Sequence, residues 1–259
     1  LNNIAGSFCS ARLENVANVV EAKKAALNSK QYITKLELRW GEHRYQNSKA
    51  EEQILEYLQP HTNLESLQIL FYNGSLLPSW ISNPSFTNLA SITLCNCKNR
   101  YLLPSMGELP SLSILKIVGM AGLRDINRLF CRNYRSQGLK AFPKLEKLTL
   151  ENMLNLEEWT GMENGDLPCL LQMSIICCPK LYDLPLLSHF KALKKLEISY
   201  CAALQSLHAE HQLPPSLQSL ILRDCPKVTE RCRKDGGEDW FKIVHVPNIW
   251  IDDEEISLN

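Results

Sequence analysis

The sequence predicts an α/β solenoid, a horseshoe with a parallel concave sheet and an irregular, short-helical convex side. Three observations predict it: a hydrophobic grid that recurs along most of the chain, a nearly constant spacing between its copies, and a composition able to fill an extended core.

The grid reads L-x-x-L-x-L-x-x-(C/M/Y). Its copies are Leu64-Leu67-Ile69-Tyr72, Leu89-Ile92-Leu94-Cys97, Leu112-Leu115-Ile117-Met120, Leu145-Leu148-Leu150-Met153, Leu170-Met173-Ile175-Cys178, Leu193-Leu196-Ile198-Cys201 and Leu217-Leu220-Leu222-Cys225, with Ile33-Leu36-Leu38 ahead of them. Each copy is one short strand of a leucine-rich repeat. Alternation along the strand sends the two central apolar residues inward and their neighbours outward. No rung buries its apolar face alone, so stacking makes the core. The ninth residue turns the chain inward, which assigns Cys97, Cys178, Cys201 and Cys225 to packing.

Taken in order, Leu13-Glu14-Asn15-Val16 leads into an alanine- and lysine-rich helical stretch, Glu21 to Lys30, so residues 1–32 form an N-terminal repeat and helix. The first grid residues lie at 33, 64, 89, 112, 145, 170, 193 and 217, a spacing near 24 interrupted by two insertions. In the first insertion, Ser48-Lys49-Ala50-Glu51 has capping-box form, and Ile54, Leu55 and Leu58 make a helical stripe ending at Pro60. The second, Arg124 to Lys144, carries Arg124, Arg128, Arg132, Arg135, Lys140 and Lys144 with Gly138 and Pro143, and predicts a solvated basic loop with one turn of helix. Residues 226–259 predict a C-terminal cap in which Asp239 to Ile251 covers the last leucines. The expected organisation is a single domain over 1–259 with about eight or nine irregular repeats. The mixed polar and apolar start at Leu1 is what a piece of a longer protein would show.

The 259 residues are 45% hydrophobic and 22% charged, with a formal net charge of zero. That balance argues against a dedicated nucleic-acid binder or a membrane-surface protein. No apolar run approaches the roughly 18 residues of a membrane span. The ten cysteines sit mostly inside repeats and lack zinc spacing, which fits reduced structural thiols better than a disulfide framework. Trp40, Trp80, Trp159, Trp240 and Trp250 read as anchors sealing irregular turns. His208 and His211 lack a third ligand, so a surface loop is favoured over a metal pair. No nucleophile elbow or other catalytic constellation appears, and the chain is not expected to be an enzyme.

The third, fifth and seventh positions of each strand point out onto the concave face. The seventh-position row, from Arg39 through Leu70, Cys95, Val118, Glu151, Ile176 and Ser199 to Arg223, places Leu70, Cys95 and Val118 side by side, with Ile114 nearby. An apolar patch where polar residues are expected marks a partner site. The candidate partner-binding residues are therefore Arg39, Leu70, Cys95, Ile114, Lys116, Val118, Glu151, Ile176 and Arg223, with incidental exposure as the alternative.

Further motifs stand in a distinctive order: L-E-N-V at 13–16, the alanine-lysine helix, L-x-L-x-W at 36–40, Y-x-G-x-x-x-P-x-W-I at 72–81, F-P-x-L-E at 142–146, N-L-E-E-W at 155–159 and G-E-D-W-x-K-I-x-H at 237–245. Over nearly the whole chain this order resembles the C-terminal leucine-rich-repeat region of plant intracellular nucleotide-binding immune receptors, the coiled-coil class of disease-resistance proteins. It departs at Ser10, where an apolar strand residue is expected, so the first repeat should be irregular, and in the basic segment Arg124 to Arg135.

The resemblance implies a module that senses a pathogen or pest effector, directly or through a guarded host protein, and that holds its own nucleotide-binding domain inactive. It implies a cytoplasmic and possible nuclear location, with no nucleic-acid or membrane partner. No cofactor is expected in this chain: no G-x-x-x-x-G-K-[ST] phosphate loop is present, so ATP or ADP would belong to the nucleotide-binding domain of the full-length protein. The alternative reading is the substrate-adaptor repeat domain of an F-box ubiquitin ligase. The absent F-box helix and the G-E-D-W segment weigh against it, and irregular spacing weighs against a secreted receptor ectodomain.

Overall fold

The computed structural model describes residues 5–42, 48–97, 102–132, 139–209 and 211–257. Arg135 and Gly138 of the basic insertion lie outside them. In chain order the elements are β1 (Gly6–Ser10), α1 (Val19–Ala25), β2 (Ile33–Arg39), α2 (Ser48–Tyr57), β3 (Ser66–Leu70), β4 (Ser91–Cys95), β5 (Ile114–Val118), β6 (Asp125–Ile126), α3 (Arg128–Cys131), β7 (Lys147–Glu151), β8 (Glu158–Trp159), β9 (Gln172–Ile176), β10 (Lys195–Ser199), β11 (Ser219–Arg223), α4 (Pro226–Arg231), α5 (Trp240–Ile243), β12 (Asn248–Ile251) and β13 (Glu254–Glu255).

Eleven strands form one sheet in the order β1-β2-β3-β4-β5-β7-β9-β10-β11-β12-β13. The pairing is parallel throughout, except for the closing antiparallel pair of β12 and β13. Register follows the grid: Leu67 lies opposite Ile92, Ile92 opposite Leu115, Leu115 opposite Leu148 and Leu148 opposite Met173. These inward residues are all buried. This is a leucine-rich-repeat solenoid, with few and short helices on its convex side.

The ends of the sheet add rungs to those counted from leucines. In β1, Phe8 pairs with Leu36 and Ser10 with Leu38, so Ser10 does occupy an inward position, and the register shifts between Gly6 and Ser7. β1 is thus an irregular first rung of the sheet. At the other end the cap contains another parallel strand: Val246, Ile249 and Ile251 stand at the grid spacing, and Ile249 pairs with Leu220 and Ile251 with Leu222.

α1 begins at Asn18, whose side chain accepts the Val20 and Glu21 N–H groups, and stops where Ala26 takes φ 45°. In α2 the capping-box reading is modified: Glu51 is buried, and its carboxylate accepts the Asn73 N–H of the next rung at 3.1 Å. Trp80 Nε1 donates to Leu55 O at 3.2 Å, fixing α2 against the following return segment.

The second insertion contains the expected turn of helix, α3, but it is not simply a solvated loop. Arg124 and Arg128 are exposed, whereas Arg132 is only 3% exposed and pairs with the buried Asp166. Asp166 also accepts the Ala141 and Glu163 N–H groups at 2.8 Å each, and Glu163 reaches Arg132 at 3.0 Å. A charge this deep persists only when paired and hydrogen-bonded. The tryptophans divide as well. Trp40, Trp80 and Trp159 are buried, Trp240 is half-buried, and Trp250 departs from the anchor reading, being 36% exposed on an outward strand position.

Candidate functional site

The concave face is built from a backbone device that repeats at the ends of β3, β4, β5, β7, β9 and β10. Phe71, Asn96, Gly119, Asn152, Cys177 and Tyr200 all adopt φ between 55° and 66°. Each N–H donates to the carbonyl of the seventh-position residue of the next rung, from Phe71 to Cys95 O at 2.8 Å through Tyr200 to Arg223 O at 2.8 Å. The ladder thus continues one residue past each strand. Asp224 ends the series with its N–H on Asp252 Oδ1 at 2.8 Å. The left-handed turn costs a side-chain-bearing residue about 1–2 kcal/mol and aims the next residue inward. At Gly119 a Cβ would meet Asn96 Oδ1 at 2.1 Å, so that side chain would have to move aside.

The residue so aimed is the ninth of the grid. Cys97, Cys178, Cys201 and Cys225 are fully buried, and their thiols approach strand-end carbonyls, as Cys225 Sγ does Arg223 O at 3.2 Å. The neighbouring Cys178 thiol pushes the Cys201 thiol up to about 12, and Cys201 with burial pushes Cys225 up in turn. All ten cysteines are free, and those in the ladder are structural.

With inward residues fixed, the outward ones form an array. Leu70, Cys95 and Val118 face one another across paired strands β3, β4 and β5, and all three are half-buried. Ile114, at the start of β5, is 43% exposed. Burial raises the Cys95 thiol, while Lys116 acts to lower it. Lys116 and Glu151 meet at 3.0 Å across β5 and β7. Ile176 is half-buried one strand beyond Glu151.

The two ends of the predicted site are charged. Arg39 is exposed, lies 4.0 Å from Glu37 and sits over the Phe71 ring at 5.4 Å. Beside it, Ser7, Phe8, Cys9, Lys35, Glu37 and Gln68 line a shallow groove of about 230 Å³. Arg223 at the far end is held by Asp253, which folds back from β12 at 2.7 Å. All nine candidates therefore fall on one face. Arg39, Leu70, Cys95, Val118, Glu151 and Ile176 run as one row of direct strand partners, with Ile114 and Lys116 beside it on β5, while Arg223 stands two strands beyond Ile176, past the buried Ser199. Two outward positions are more buried than their rows suggest, Thr149 and Ser199.

Sequence reasoning passed over a second apolar group, Trp250 beside Ile221 on paired strands β12 and β11. The signal for it is the grid copy Val246-Ile249-Ile251, which puts Trp250 at a fifth position. Among the described residues no group of three or more His, Cys, Asp or Glu is arranged to hold a metal. His208 Nδ1 instead lies 2.6 Å from Leu184 O and 3.4 Å from Asp183. No helix among the described residues is long and apolar enough to cross a membrane.

Comparison with known proteins places these features. The family described as R13L1/DRL21 LRRs matches residues 1–120. The putative disease resistance RPP13-like protein 1 of Arabidopsis thaliana is 30% identical over 295 residues, covering 88% of this chain and 28% of that protein. The putative disease resistance protein RGA1 of Solanum bulbocastanum is 33% identical over 74% of this chain and 19% of its own length. Disease resistance protein RGA2 of the same species is 30% identical over 95% of this chain and 33% of its own. The chain thus spans about a third or less of these relatives. Among solved structures, the leucine-rich repeat domain of the type III effector XCV3220 (XopL) aligns with a TM-score of 0.45 at 20% identity over 76% of this chain and 70% of that one.

Proposed function

The chain belongs to the leucine-rich-repeat domains of plant nucleotide-binding disease-resistance proteins, and from that premise we propose that it recognises an effector, or a host protein the effector modifies, through its concave face. The same face and its neighbouring rungs hold the receptor's nucleotide-binding domain in its resting state. It acts by contact, without catalysis and without a cofactor of its own, in the cytoplasm. Nucleotide chemistry is left to the other domain of the parent receptor.

One observation carries this reading: the row Leu70, Cys95 and Val118, continuous over three paired strands and bordered by the Lys116–Glu151 ion pair. Apolar side chains in a row on a sheet face whose other outward positions are largely polar gain by being covered. A ligand that binds the released receptor better than the resting one shifts the population by the difference of its two affinities, and by no more.

The test is co-purification of the chain with the nucleotide-binding domain of its own receptor. A Leu70→Asp, Val118→Asp, Ile176→Asp variant with an unchanged circular dichroism spectrum should lose that contact. Retained co-purification would remove the concave face from the interaction.

A further inference from the structure

A net charge of zero conceals a segregation of charge on the rungs of β7, β9 and β10. The strands run parallel, so all begin on one edge of the sheet. On that edge Lys144 lies in the turn leading into β7 and Lys147 opens the strand, while Lys191 and Lys194 lie in the turn leading into β10 and Lys195 opens it. Lys147, Gln172 and Lys195 are in register on consecutive strands, which sets the two lysines about 10 Å apart. None of the five lysines forms an ion pair among the described residues, whereas Lys116 on the same face pairs with Glu151. Among the described residues one carboxylate, the exposed Glu146, stands on this edge. Of the other acids of these rungs, Glu151 and Glu197 lie within β7 and β10, Glu151 paired with Lys116, and Glu157, Glu158 and Asp183 gather where the strands have ended, the Glu158 and Asp183 backbones joined by a β-bridge.

The lysine edge is also continuous with the apolar patch. Ile114, the most exposed member of that patch, is the direct strand partner of Lys147. The geometry points to this edge as the seat of an acidic segment of a protein partner, laid across β7, β9 and β10 with its carboxylates on Lys147 and Lys195 and its apolar side chains on Ile114 and Val118. This inference rests on the concave face being a partner surface and adds the chemistry of the partner. Unpaired ammonium groups attract carboxylates at long range and speed encounter, and they discriminate against basic partners.

A nucleic acid fits this edge less well. Its phosphates recur every few ångströms, so a strand longer than the lysine patch would run against Glu146 or the acids at the strand ends. Among the described residues the edge also offers neither arginine forks nor exposed aromatic rings on which bases could stack.

The experiment is fluorescence anisotropy of the intact chain with two labelled probes, decaglutamate and decathymidylate, at about 50 mM and about 200 mM salt. Decaglutamate should bind at the lower salt and weaken at the higher. Lys147→Glu with Lys195→Glu should weaken it roughly tenfold, and Lys147→Gln with Lys195→Gln by less. Circular dichroism confirms that both variants are folded. No decaglutamate binding at the lower salt, or binding indifferent to both variants, overturns the proposal. Tighter lysine-dependent binding of decathymidylate overturns it in favour of nucleic acid. The Leu70→Asp, Val118→Asp, Ile176→Asp variant separates the two readings. If that variant loses the nucleotide-binding domain while the native chain ignores decaglutamate, the face stands and the acidic partner falls. If decaglutamate binds and the apolar variant still co-purifies, the charged edge stands and the role given to the apolar patch falls.

Discussion

The guanidinium of Arg132 and the carboxylate of Asp166 meet inside the protein across 34 residues of chain, joining the long insertion after β6 to the return segment that follows β8. Removing Asp166 leaves the buried Arg132 with only the exposed Glu163 as a counter-ion, and removing Arg132 leaves the buried Asp166 charged with only backbone N–H groups on it. Asp166→Ala should therefore cost about 3–5 kcal/mol in urea unfolding, whereas Arg132→Met with Asp166→Leu should cost much less because no charge is stranded. Equal losses for the single and double variants would show that the pair does not govern this junction.

Leu148 and Leu70 test the orientation of the sheet. Leu148 is 1% exposed at an inward position, so Leu148→Ala should destabilise the fold by about 2–5 kcal/mol. Leu70 is half-buried on the concave face, and Leu70→Ala should cost about 1 kcal/mol or less. Coincident denaturation midpoints for the two variants would contradict the register described above.

Thiol labelling reads the cysteine ladder. At about pH 8, the exposed Cys169 should react first with a disulfide reagent. Cys9 should follow more slowly, since desolvation and the Glu37 carboxylate raise its thiol. Cys201, pushed up to about 12 by Cys178, and Cys131 and Cys232, pushed up to about 12 by burial, should react only on unfolding. Mass spectrometry of the partly labelled protein identifies the order.

Acid should loosen the C-terminal cap. Burial acts to raise the Asp239 carboxyl, but hydrogen bonds from Arg231 at 2.8 Å and the Lys242 ammonium at 3.0 Å outweigh it and hold the group below its ordinary value. A depressed folded-state value stabilises the protein above the unfolded carboxylate value of about 4, and that contribution is lost as pH falls further. The Tm advantage of the native chain over Asp239→Asn should thus shrink between about pH 5 and pH 3. A constant difference over that range would exclude Asp239 as the acid-sensitive group.

The leucine spacing made the stacked sheet, its inward rows and the ninth-position cysteines legible, because those follow from strand alternation alone. The closing rung was not. Val246, Ile249 and Ile251 repeat the grid in branched residues 29 positions after Leu217, whereas the first rung was expected as an irregular repeat from its polar Ser10. The outward residues of the candidate site were placed on the correct face, since parity fixes facing. Their grouping depended on pairing across 23 to 33 residues, which sets Glu151 between Val118 and Ile176 and leaves Arg223 beyond the buried Ser199. Arg132 was misread for a related reason: its partner, Asp166, stands in the next repeat, out of reach of any local pattern.

From β3 to β10 each repeat rung closes its backbone hydrogen bonds on the rungs beside it, through the strand and through the left-handed residue that follows. Exchange of one whole rung for another of the same length would replace three adjacent outward side chains together while leaving the inward leucines interchangeable. Variation acting on such a chain edits the concave face by columns, so a new specificity can be gained over a strip about 5 Å wide without rebuilding the remainder.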